Sequence, residues 1–477
     1  MLENIIYWIN VFFMVYMFLY AVIFFLSTFL SIIDLEKFSK RRRFMNNMTL
    51  TNKLNYVPIS ILVPAFNEEI TIIESIESLL HLKYPEYEIV IINDGSTDGT
   101  SLKVIEKYKL KKVYRPIRKL VNSKVEKDIY EKKIGDVTIT LINKENGGKA
   151  DSLNMGINAG RYPLFLSLDA DSILQEDTLG KMAEPFMEDD KTVAVGGNVK
   201  VSNSLIIENG KVVGKKPKTK LIVLFQTVEY FRSFLSTRVS FNRFNSNLII
   251  SGAIGLFNKH IAIQAGGYEL DTVGEDMEIV IKLHTYCIKN NMEYKIGYVP
   301  DAVCLTQVPE KYSDLKKQRR RWHMGLAQSL WEHKYVFINP RYGAVGLVAY
   351  IYYVFFEFLA PIIELLGFVV VPVSYFLGIL NLKFMILYLV IFMFYSFIVS
   401  IASITYESYL FRDTISFKRG MLLFLVSLLE CFGYRQLCSI YRLSAFIGYK
   451  ENKLSWEKIT RFDQGYDKKE EQKTFNS

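Results

Sequence analysis

Residues 164–171, Leu-Phe-Leu-Ser-Leu-Asp-Ala-Asp, join a short, mainly apolar run to two carboxylates one residue apart. Such a run favours a strand buried on both faces, as in a parallel sheet covered by helices. The run Glu88 to Ile92 is similar and is followed by Asn93-Asp94-Gly95. Because α/β folds bind ligands beyond the carboxyl ends of parallel strands, we expect both acidic segments at one edge of a sheet.

Predicted strands and helices alternate along the surrounding chain. Ile59 to Val63 predicts a strand, and Ile72 to Leu80 predicts a helix with apolar residues on one face. A further strand is predicted from Val137 to Asn143, shortly before Gly147-Gly148-Lys149. Strands that alternate with helices imply right-handed βαβ units, so the sequence predicts an α/β domain with a mostly parallel, Rossmann-like sheet.

Three segments depart from this alternation. Residues 110–133 are polar and basic and are predicted to form a surface insertion. Residues 202–220 contain the turn dipeptide Asn209-Gly210 and predict an exposed hairpin or loop. Leu248 to Ile250 is a short apolar run that predicts a strand leading into Ser251-Gly252.

The acidic motifs suit a phosphorylated substrate. Asp169 and Asp171 can hold Mg²⁺ or Mn²⁺ beside a diphosphate, because hard cations bind carboxylate and phosphate oxygens together. Lys149 opens a helix, where backbone amides and an ammonium attract phosphate groups. Glu275-Asp276 begins another helix, whose dipole helps to keep Asp276 ionised, as a general base requires. The pattern predicts a site for a sugar nucleotide.

The same residues also have purely structural interpretations. Asp94 can cap the helix that follows it, and Lys149 can be a solvated lysine. Glu275 and Asp276 can simply favour the helix dipole. For Ser251-Gly252, tight packing at a turn and a functional role are evenly balanced.

Long apolar runs bracket the charged domain. Ile5 to Ile33 and Phe384 to Ile404 carry no charge, and Ala344 to Leu380 carries only Glu357 and Glu364. About 20 apolar residues cross a bilayer as a helix, so each run is long enough. These runs explain why half of the 477 residues are apolar. The sequence predicts a protein with several α-helical transmembrane segments.

The N-terminal run is predicted to be an uncleaved anchor. Its start carries Glu3 instead of basic residues, and no small-residue cleavage pattern follows it, in contrast to a signal peptide. Lys37, Lys40 and Arg41-Arg42-Arg43 come directly after it, and by the positive-inside rule this end is cytoplasmic. We therefore expect a multi-pass protein of the cell membrane with its charged domain in the cytoplasm.

The net charge of +9 does not indicate a nucleic-acid partner. Basic residues concentrate beside the apolar runs and in residues 103–133, and no nucleic-acid module is recognisable, so a membrane-facing surface is favoured. The four cysteines show neither zinc spacing nor a CxxC pair and are predicted to be reduced structural thiols. They are Cys287, Cys304, Cys431 and Cys438.

Taken together, these motifs resemble those of the membrane-bound family 2 glycosyltransferases, which include cellulose, hyaluronan, chitin and poly-N-acetylglucosamine synthases. The resemblance covers residues 58–325 by motif. The motifs that carry it, in the family's order, are Val63-Pro64-Ala65-Phe66-Asn67-Glu68, Asn93-Asp94-Gly95-Ser96-Thr97-Asp98, Asn146-Gly147-Gly148-Lys149, Asp169-Ala170-Asp171, Glu275-Asp276 and Gln318-Arg319-Arg320-Arg321-Trp322. Gly274 departs from the family, which often has threonine there, and leaves the subfamily open.

The resemblance implies a GT-A fold, an inverting mechanism, a UDP-sugar donor and Mg²⁺ or Mn²⁺ as cofactor. Asp276 would be the catalytic base and Glu275 would support it. The residues that would contact the donor nucleotide are Glu68, Asp94, Lys149, Asp169 and Arg321. Asp171 would be the direct metal ligand and Asp169 would lie nearer the donor sugar. The residues expected on the acceptor side are Ser251, Gly252, Gln318 and Trp322.

The implied architecture divides the chain into six parts. They are a transmembrane anchor (1–34), a basic juxtamembrane linker (35–57), the GT-A domain (58–310), the QxxRW and interfacial helices (311–343), a membrane region of about three segments (344–445) and a cytoplasmic tail (446–477). The last crossing is ambiguous, because Glu430 and Arg435 interrupt the run Met421 to Tyr441.

The sequence favours a processive exopolysaccharide synthase that extends a β-linked glycan. A single-addition enzyme with a membrane lipid acceptor, using the same donor site, is the alternative. A transporter or receptor with a nucleotide-regulated domain is less consistent, because it does not explain a base at Asp276. The expected partners are a UDP-sugar, a glycan or lipid-linked acceptor and the bilayer, and the few membrane segments leave room for accessory export proteins.

Overall fold

The computed structural model describes residues 2–48, 56–208, 211–216, 219–380, 382–410 and 417–447. Its strands are β1 (Ile59–Ala65), β2 (Tyr87–Asn93), β3 (Lys111–Val113), β4 (Glu126–Ile134), β5 (Val137–Lys144), β6 (Leu164–Ser167), β7 (Ile173–Leu174), β8 (Thr192–Val201), β9 (Leu205–Glu208), β10 (Lys211–Lys215), β11 (Gly255–Asn258) and β12 (Lys295–Thr306).

The α-helices are α1 (Leu2–Met48), α2 (Ile72–Leu80), α3 (Thr100–Tyr108), α4 (Lys149–Ala159), α5 (Thr178–Glu188), α6 (Leu221–Arg232), α7 (Arg238–Arg243), α8 (Lys259–Gln264), α9 (Glu275–Lys289), α10 (Tyr312–Glu332), α11 (Tyr350–Tyr352), α12 (Ala360–Phe376), α13 (Leu382–Leu410), α14 (Phe417–Leu429) and α15 (Tyr434–Leu443). Short π-helical segments at Ser233–Thr237, Val345–Ala349 and Tyr353–Phe358 join α6 to α7 and flank α11.

Ten strands form one mixed sheet in the order β3-β4-β5-β2-β1-β6-β11-β8-β12-β7. Its centre, β5-β2-β1-β6, is parallel, and β8 pairs with β12 in parallel as well. The strands β4, β11 and β7 run against the others, so most of the sheet runs in one direction. This arrangement confirms the predicted α/β domain with a mostly parallel sheet.

Helices cover both faces of the sheet, since each central strand carries apolar side chains on both of its faces. Along β1, Ile61 and Val63 point into one core while Leu62, between them, points into the other. Ile91 and Ile92 of β2 divide between the two cores in the same way. Continuous apolar strands of this kind are typical of parallel sheets covered on both sides.

Two of the predicted irregular segments are corrected by the structure. Residues 110–133 are not merely a surface insertion, because they contain β3 and most of β4, which extend the sheet at one edge. Residues 248–250 do not form a strand, although Leu248 and Ile250 are buried. Burial without strand pairing produces the same apolar run. The hairpin predicted within residues 202–220 is present as β9 and β10, and its Asn209-Gly210 turn lies outside the described residues.

The helix α1 continues well beyond the apolar run, to Met48, so much of the predicted 35–57 linker is helical. Its basic end contacts the α/β domain directly. Arg42 Nε donates to Asp301 Oδ2 over 2.8 Å and pairs with Glu184, while Asp34 accepts from Arg243 Nη1 over 2.9 Å. The basic cluster that suggested topology therefore also fixes α1 to the α/β domain.

The segment Asn4–Arg42 is a single helix, and it is long enough and apolar enough to cross a membrane. Among the described residues there are up to three such spans if each of two bent helix pairs counts as one. The pairs are Val345–Phe358 with Ala360–Phe376, bent by 42°, and Lys418–Leu429 with Tyr434–Phe446, bent by 58°. The apolar run Phe384 to Ile404 lies in α13, where several side chains fall outside the described residues, so its crossing stays a prediction.

All four cysteines are free, which agrees with the predicted thiols.

Candidate active site

A cavity of about 460 Å³ opens at the carboxyl ends of the central strands and continues between the C-terminal helices and α1. It lies within the size range of small-molecule sites. The predicted site residues that line it are Lys149, Asp169, Asp171, Ser251, Gly252, Glu275, Asp276, Gln318, Arg321 and Trp322. Glu68 and Asp94 are not among its lining residues. The fold thus brings together motifs that are far apart in the sequence.

Lys149 connects the Asp169-Ala170-Asp171 motif to Glu275. Its Nζ lies 2.7 Å from Asp169 Oδ1 and 3.1 Å from Glu275 Oε1. Burial alone would lower the pKa of Lys149, but Asp169 and Glu275 outweigh it and raise the pKa above its usual value. A fixed cation therefore lies between the carboxylates at the start of α4, where the helix N-terminus adds positive potential.

Asp276 is a carboxylate that binds a proton more tightly than an ordinary aspartate does. Burial and the neighbouring Glu275 raise its pKa to about 6, against the opposing effects of Lys149, Arg238 and a hydrogen bond from the Gly252 backbone. A base whose pKa lies just below neutral pH is ionised there, yet holds a proton more tightly than an ordinary aspartate does. This environment suits the predicted role of Asp276.

Ser251-Gly252 lies directly against these charges. A Cβ atom on Gly252 would approach Lys149 Nζ to 2.5 Å and Asp276 Cβ to 3.7 Å. The absence of a side chain at Gly252 lets the lysine reach the carboxylates. Gly252 is therefore tightly packed, and the groups it packs against are predicted site residues, so its role on the acceptor side stays a prediction.

Asp94 supports the site from outside the cavity. Its two carboxylate oxygens accept hydrogen bonds from the backbone N–H groups of Gly147 and Gly148, at 2.9 and 2.8 Å. The fully buried Lys144 also pairs with it and lies 2.7 Å from Asp151. In this geometry Asp94 fixes the glycine loop that presents Lys149. The predicted nucleotide contact of Asp94 stays a prediction.

Glu68 is bonded locally as well. Its Oε2 accepts a 2.6 Å hydrogen bond from Thr71 Oγ1, and its backbone N–H donates to Thr100 Oγ1 over 3.0 Å. These bonds join the turn after β1 to the start of α3. The Thr100 bond places Glu68 near Asn93-Asp94-Gly95, which precedes α3, and the predicted contact of Glu68 with the donor stays a prediction.

The helix α10 carries Gln318, Arg321 and Trp322 along the cavity wall. Gln318 is buried, and its Oε1 atom makes no hydrogen bond. Trp322 remains 41% exposed, with one ring face under the guanidinium of Arg319, 4.7 Å from the ring centroid. Arg321 also lines the cavity. This arrangement leaves part of the indole surface open to a ligand.

Sequence reasoning missed the buried pair between Arg319 and Glu229. Arg319 lies in the basic run of α10, yet its side chain is almost fully buried and donates from Nη2 to Glu229 Oε2 over 2.8 Å. Glu229 is the single acid in the mainly apolar α6, which is the feature that could have indicated a buried partner. The pair orients α10, because an unpaired buried guanidinium would be costly.

The departure at Gly274 has a structural explanation. A Cβ on Gly274 would lie 2.7 Å from the backbone of Gly325, and a Cβ on Gly325 would lie 2.6 Å from Gly274 Cα. The start of α9, which carries Asp276, therefore packs backbone to backbone against α10. A threonine at position 274 would require α10 to move away.

The carboxylates of Asp169 and Asp171 fit a hard divalent cation. Asp169 and Asp171 both line the cavity, and Asp169 is balanced by Lys149. Among the described residues no cluster of three or more His, Cys, Asp or Glu side chains could hold a metal by itself. Two carboxylates that leave the remaining positions to phosphate oxygens and water are the arrangement that Mg²⁺ commonly takes with nucleotides.

Comparison with known proteins first defines the class of fold. A mannosyltransferase from Pyrobaculum calidifontis, solved with GDP-Man and Mn²⁺, aligns with a TM-score of 0.53 over 95% of this chain and 100% of its own. The identity is 16%, so this likeness concerns the fold alone. With the mixed sheet described above, it identifies a GT-A-like glycosyltransferase fold.

Family models and relatives then define the membership. Glycosyl transferase family 2 matches residues 60–207, and Glycosyl transferase family group 2 matches residues 164–401. Poly-beta-1,6-N-acetyl-D-glucosamine synthases are 30% identical over 60% of this chain in Staphylococcus epidermidis, and 32% over 56% in Staphylococcus aureus. The alignments span 59% and 54% of those relatives, a little over half their length. The chain belongs to the family 2 glycosyltransferases.

Proposed function

We propose that this protein transfers N-acetylglucosamine from UDP-GlcNAc to the end of a growing β-linked glycan at the cytoplasmic face of the cell membrane. One observation carries the proposal. A single cavity is lined by the carboxylates of Asp169, Asp171 and Asp276 and by Trp322, and it continues between helices, of which α1 is long and apolar enough to cross a bilayer. The sugar is suggested by the poly-N-acetylglucosamine synthases to which the chain is similar.

The donor diphosphate binds between Asp169, Asp171 and Arg321. Asp171 and Asp169 hold Mg²⁺ or Mn²⁺, which when bound neutralises negative charge on the leaving UDP. Arg321 can add paired, charge-assisted hydrogen bonds to the phosphates. Lys149 offsets the charge of Asp169 and Glu275, so that a dianionic ligand can approach a wall rich in carboxylates.

Asp276 takes the proton of the attacking acceptor hydroxyl. The acceptor oxygen forms the new bond to the anomeric carbon as the bond from that carbon to the UDP oxygen breaks, and the electron pair leaves with UDP. Attack opposite the leaving group inverts the configuration, so an α-linked donor gives a β-linked product. The raised pKa of Asp276 makes it a better proton acceptor than an ordinary aspartate while leaving it ionised at neutral pH.

The acceptor side supports chain elongation. Trp322 offers a flat ring for the apolar face of a sugar, and Gln318 offers an unpaired Oε1 atom. The cavity continues past them to Phe24 of α1 and Val399 of α13. This continuity favours an acceptor that stays bound between additions, although a lipid-linked acceptor could enter by the same route.

A donor and product experiment tests the proposal. Purified protein in native lipids would be given UDP-glucose, UDP-galactose, UDP-glucuronate or UDP-GlcNAc with Mg²⁺ or Mn²⁺, and UDP release and product size would be measured. We expect release with UDP-GlcNAc and long products while most of the donor remains. If the protein transfers one sugar to a lipid under every condition, it is a lipid glycosyltransferase and not a synthase. If it releases UDP from none of the donors, both functions are rejected.

A further inference from the structure

Arg238, the first residue of α7, is a buried cation that the predicted motifs do not include. It is 8% exposed and lines the cavity. Its Nε and Nη1 atoms make no hydrogen bond in the protein, and its guanidinium lies 4.0 Å from the centre of the Phe234 ring. A buried guanidinium with unused donors is unfavourable unless a ligand or water in the cavity completes its hydrogen bonds.

Other arginines along the same wall are paired with carboxylates. Arg232 and Arg435 both bind Glu430, and Arg319 binds Glu229. These pairs hold helices together and need no ligand. Arg238 differs from them, because ring packing orients its guanidinium without satisfying its hydrogen-bond donors.

The position of Arg238 is on the acceptor side of the base. The helix α7 packs on the C-terminal helices through Phe241, whose ring meets Tyr352 edge-on at 5.1 Å. Tyr352 lines the same cavity as Arg238. Arg238 is also close enough to Asp276 to lower the pKa of that carboxylate. A ligand that reaches Arg238 therefore lies between the base and the membrane helices.

We propose that Arg238 binds the terminal sugar of the acceptor glycan, donating hydrogen bonds to its hydroxyl or acyl carbonyl oxygens. Gln318 contributes to the same subsite, because its unpaired Oε1 can accept a bond from a sugar hydroxyl. Guanidinium donors beside aromatic rings suit a carbohydrate, which presents oxygens along its edges and C–H groups on its faces. The inference rests on the proposed glycosyl transfer.

The test compares Arg238→Gln with Arg238→Lys and a matched control, Arg243→Gln. Arg243 lies on the same helix but pairs with Asp34 outside the cavity. The probe is a β-1,6-linked N-acetylglucosamine tetrasaccharide with UDP-GlcNAc at pH 8, where Asp276 is ionised. We expect the acceptor KM of Arg238→Gln to rise about tenfold or more. Arg238→Lys should recover part of the loss, UDP affinity should be unchanged in both, and the control should match wild type.

Acceptors that each lack one hydroxyl of the terminal sugar distinguish contact from folding. In wild type, removal of the oxygen that Arg238 binds should raise the acceptor KM, and in Arg238→Gln that penalty should disappear. An unchanged acceptor KM in Arg238→Gln, or penalties that all persist in the variant, would overturn the inference. Wild type that releases no UDP from UDP-GlcNAc would instead reject the proposed function on which the inference rests.

Discussion

The two ends of the cavity differ in how their polar groups are satisfied. At the donor end, Lys149 joins Asp169 to Glu275, and Asp94 is bonded to the glycine loop and Lys144. At the acceptor end, Gln318 Oε1 and two nitrogens of Arg238 have no hydrogen-bond partner. His323 continues this pattern with an unpaired Nε2 atom.

This difference fits the two ligands of an elongating enzyme. The donor is the same molecule in every cycle, so protein groups can hold its site in one arrangement before it binds. In the proposed reaction the acceptor glycan stays bound and advances by one sugar after each addition, and groups without protein partners can exchange one sugar of that glycan for the next. The comparison teaches that substitutions at the donor end should disturb a network, whereas those at the acceptor end should mainly remove contacts with the ligand.

The largest effect is expected between the two ends, at the base. Asp276→Asn should keep the fold and UDP affinity but lower transfer by about 10²-fold or more, since an amide cannot take the acceptor proton. Turnover of UDP-GlcNAc by the purified variant is the measurement. The exposed Asp271 provides a control on the preceding loop, where Asp271→Asn should behave as wild type. Near-normal turnover by Asp276→Asn would rule out its role as the base.

A smaller effect is expected at the donor end. Asp171→Ala should weaken metal-dependent UDP binding about tenfold or more, because Asp169 is shared with Lys149 and compensates poorly. Titration of UDP at several Mn²⁺ concentrations measures the change. Asp190→Ala, at an exposed position, serves as the control. A variant with the metal dependence of wild type would remove Asp171 from the metal site and weaken the contrast between the two ends.

Local sequence was sufficient for the framework of the site. The strands that precede Asp94 and Asp169 were predicted from short apolar runs, and the structure confirms them as β2 and β6. Leu248 to Ile250 was a wrong prediction, since an apolar run records burial and not strand pairing. The strand β4, second from one edge of the sheet, was missed because many of its side chains are polar and at least partly exposed, which hides the apolar pattern.

The charge pairs of the site required the tertiary structure. Nothing in the sequence links Lys149 to Glu275, or Arg319 to Glu229, because the partners come from elements distant along the chain. Arg238 was overlooked for a related reason. It lies in a segment rich in ordinary polar residues, and only packing shows that its side chain is buried and that its Nε and Nη1 atoms have no partner in the protein.

The smallest expected effect concerns the pH dependence, and it connects the two ends through Asp276. Its pKa is raised to about 6, so kcat/KM should fall as the pH decreases through about 6 and the base becomes protonated, not near the ordinary value of about 4. Arg238 lowers the pKa of Asp276, so Arg238→Gln should move this decline to higher pH, whereas Arg243→Gln should leave it in place. Profiles from pH 5 to 9 measure both effects. A wild-type decline centred near pH 4 would contradict the raised pKa of Asp276. A decline that Arg238→Gln leaves at the same pH would show that Arg238 does not act on Asp276.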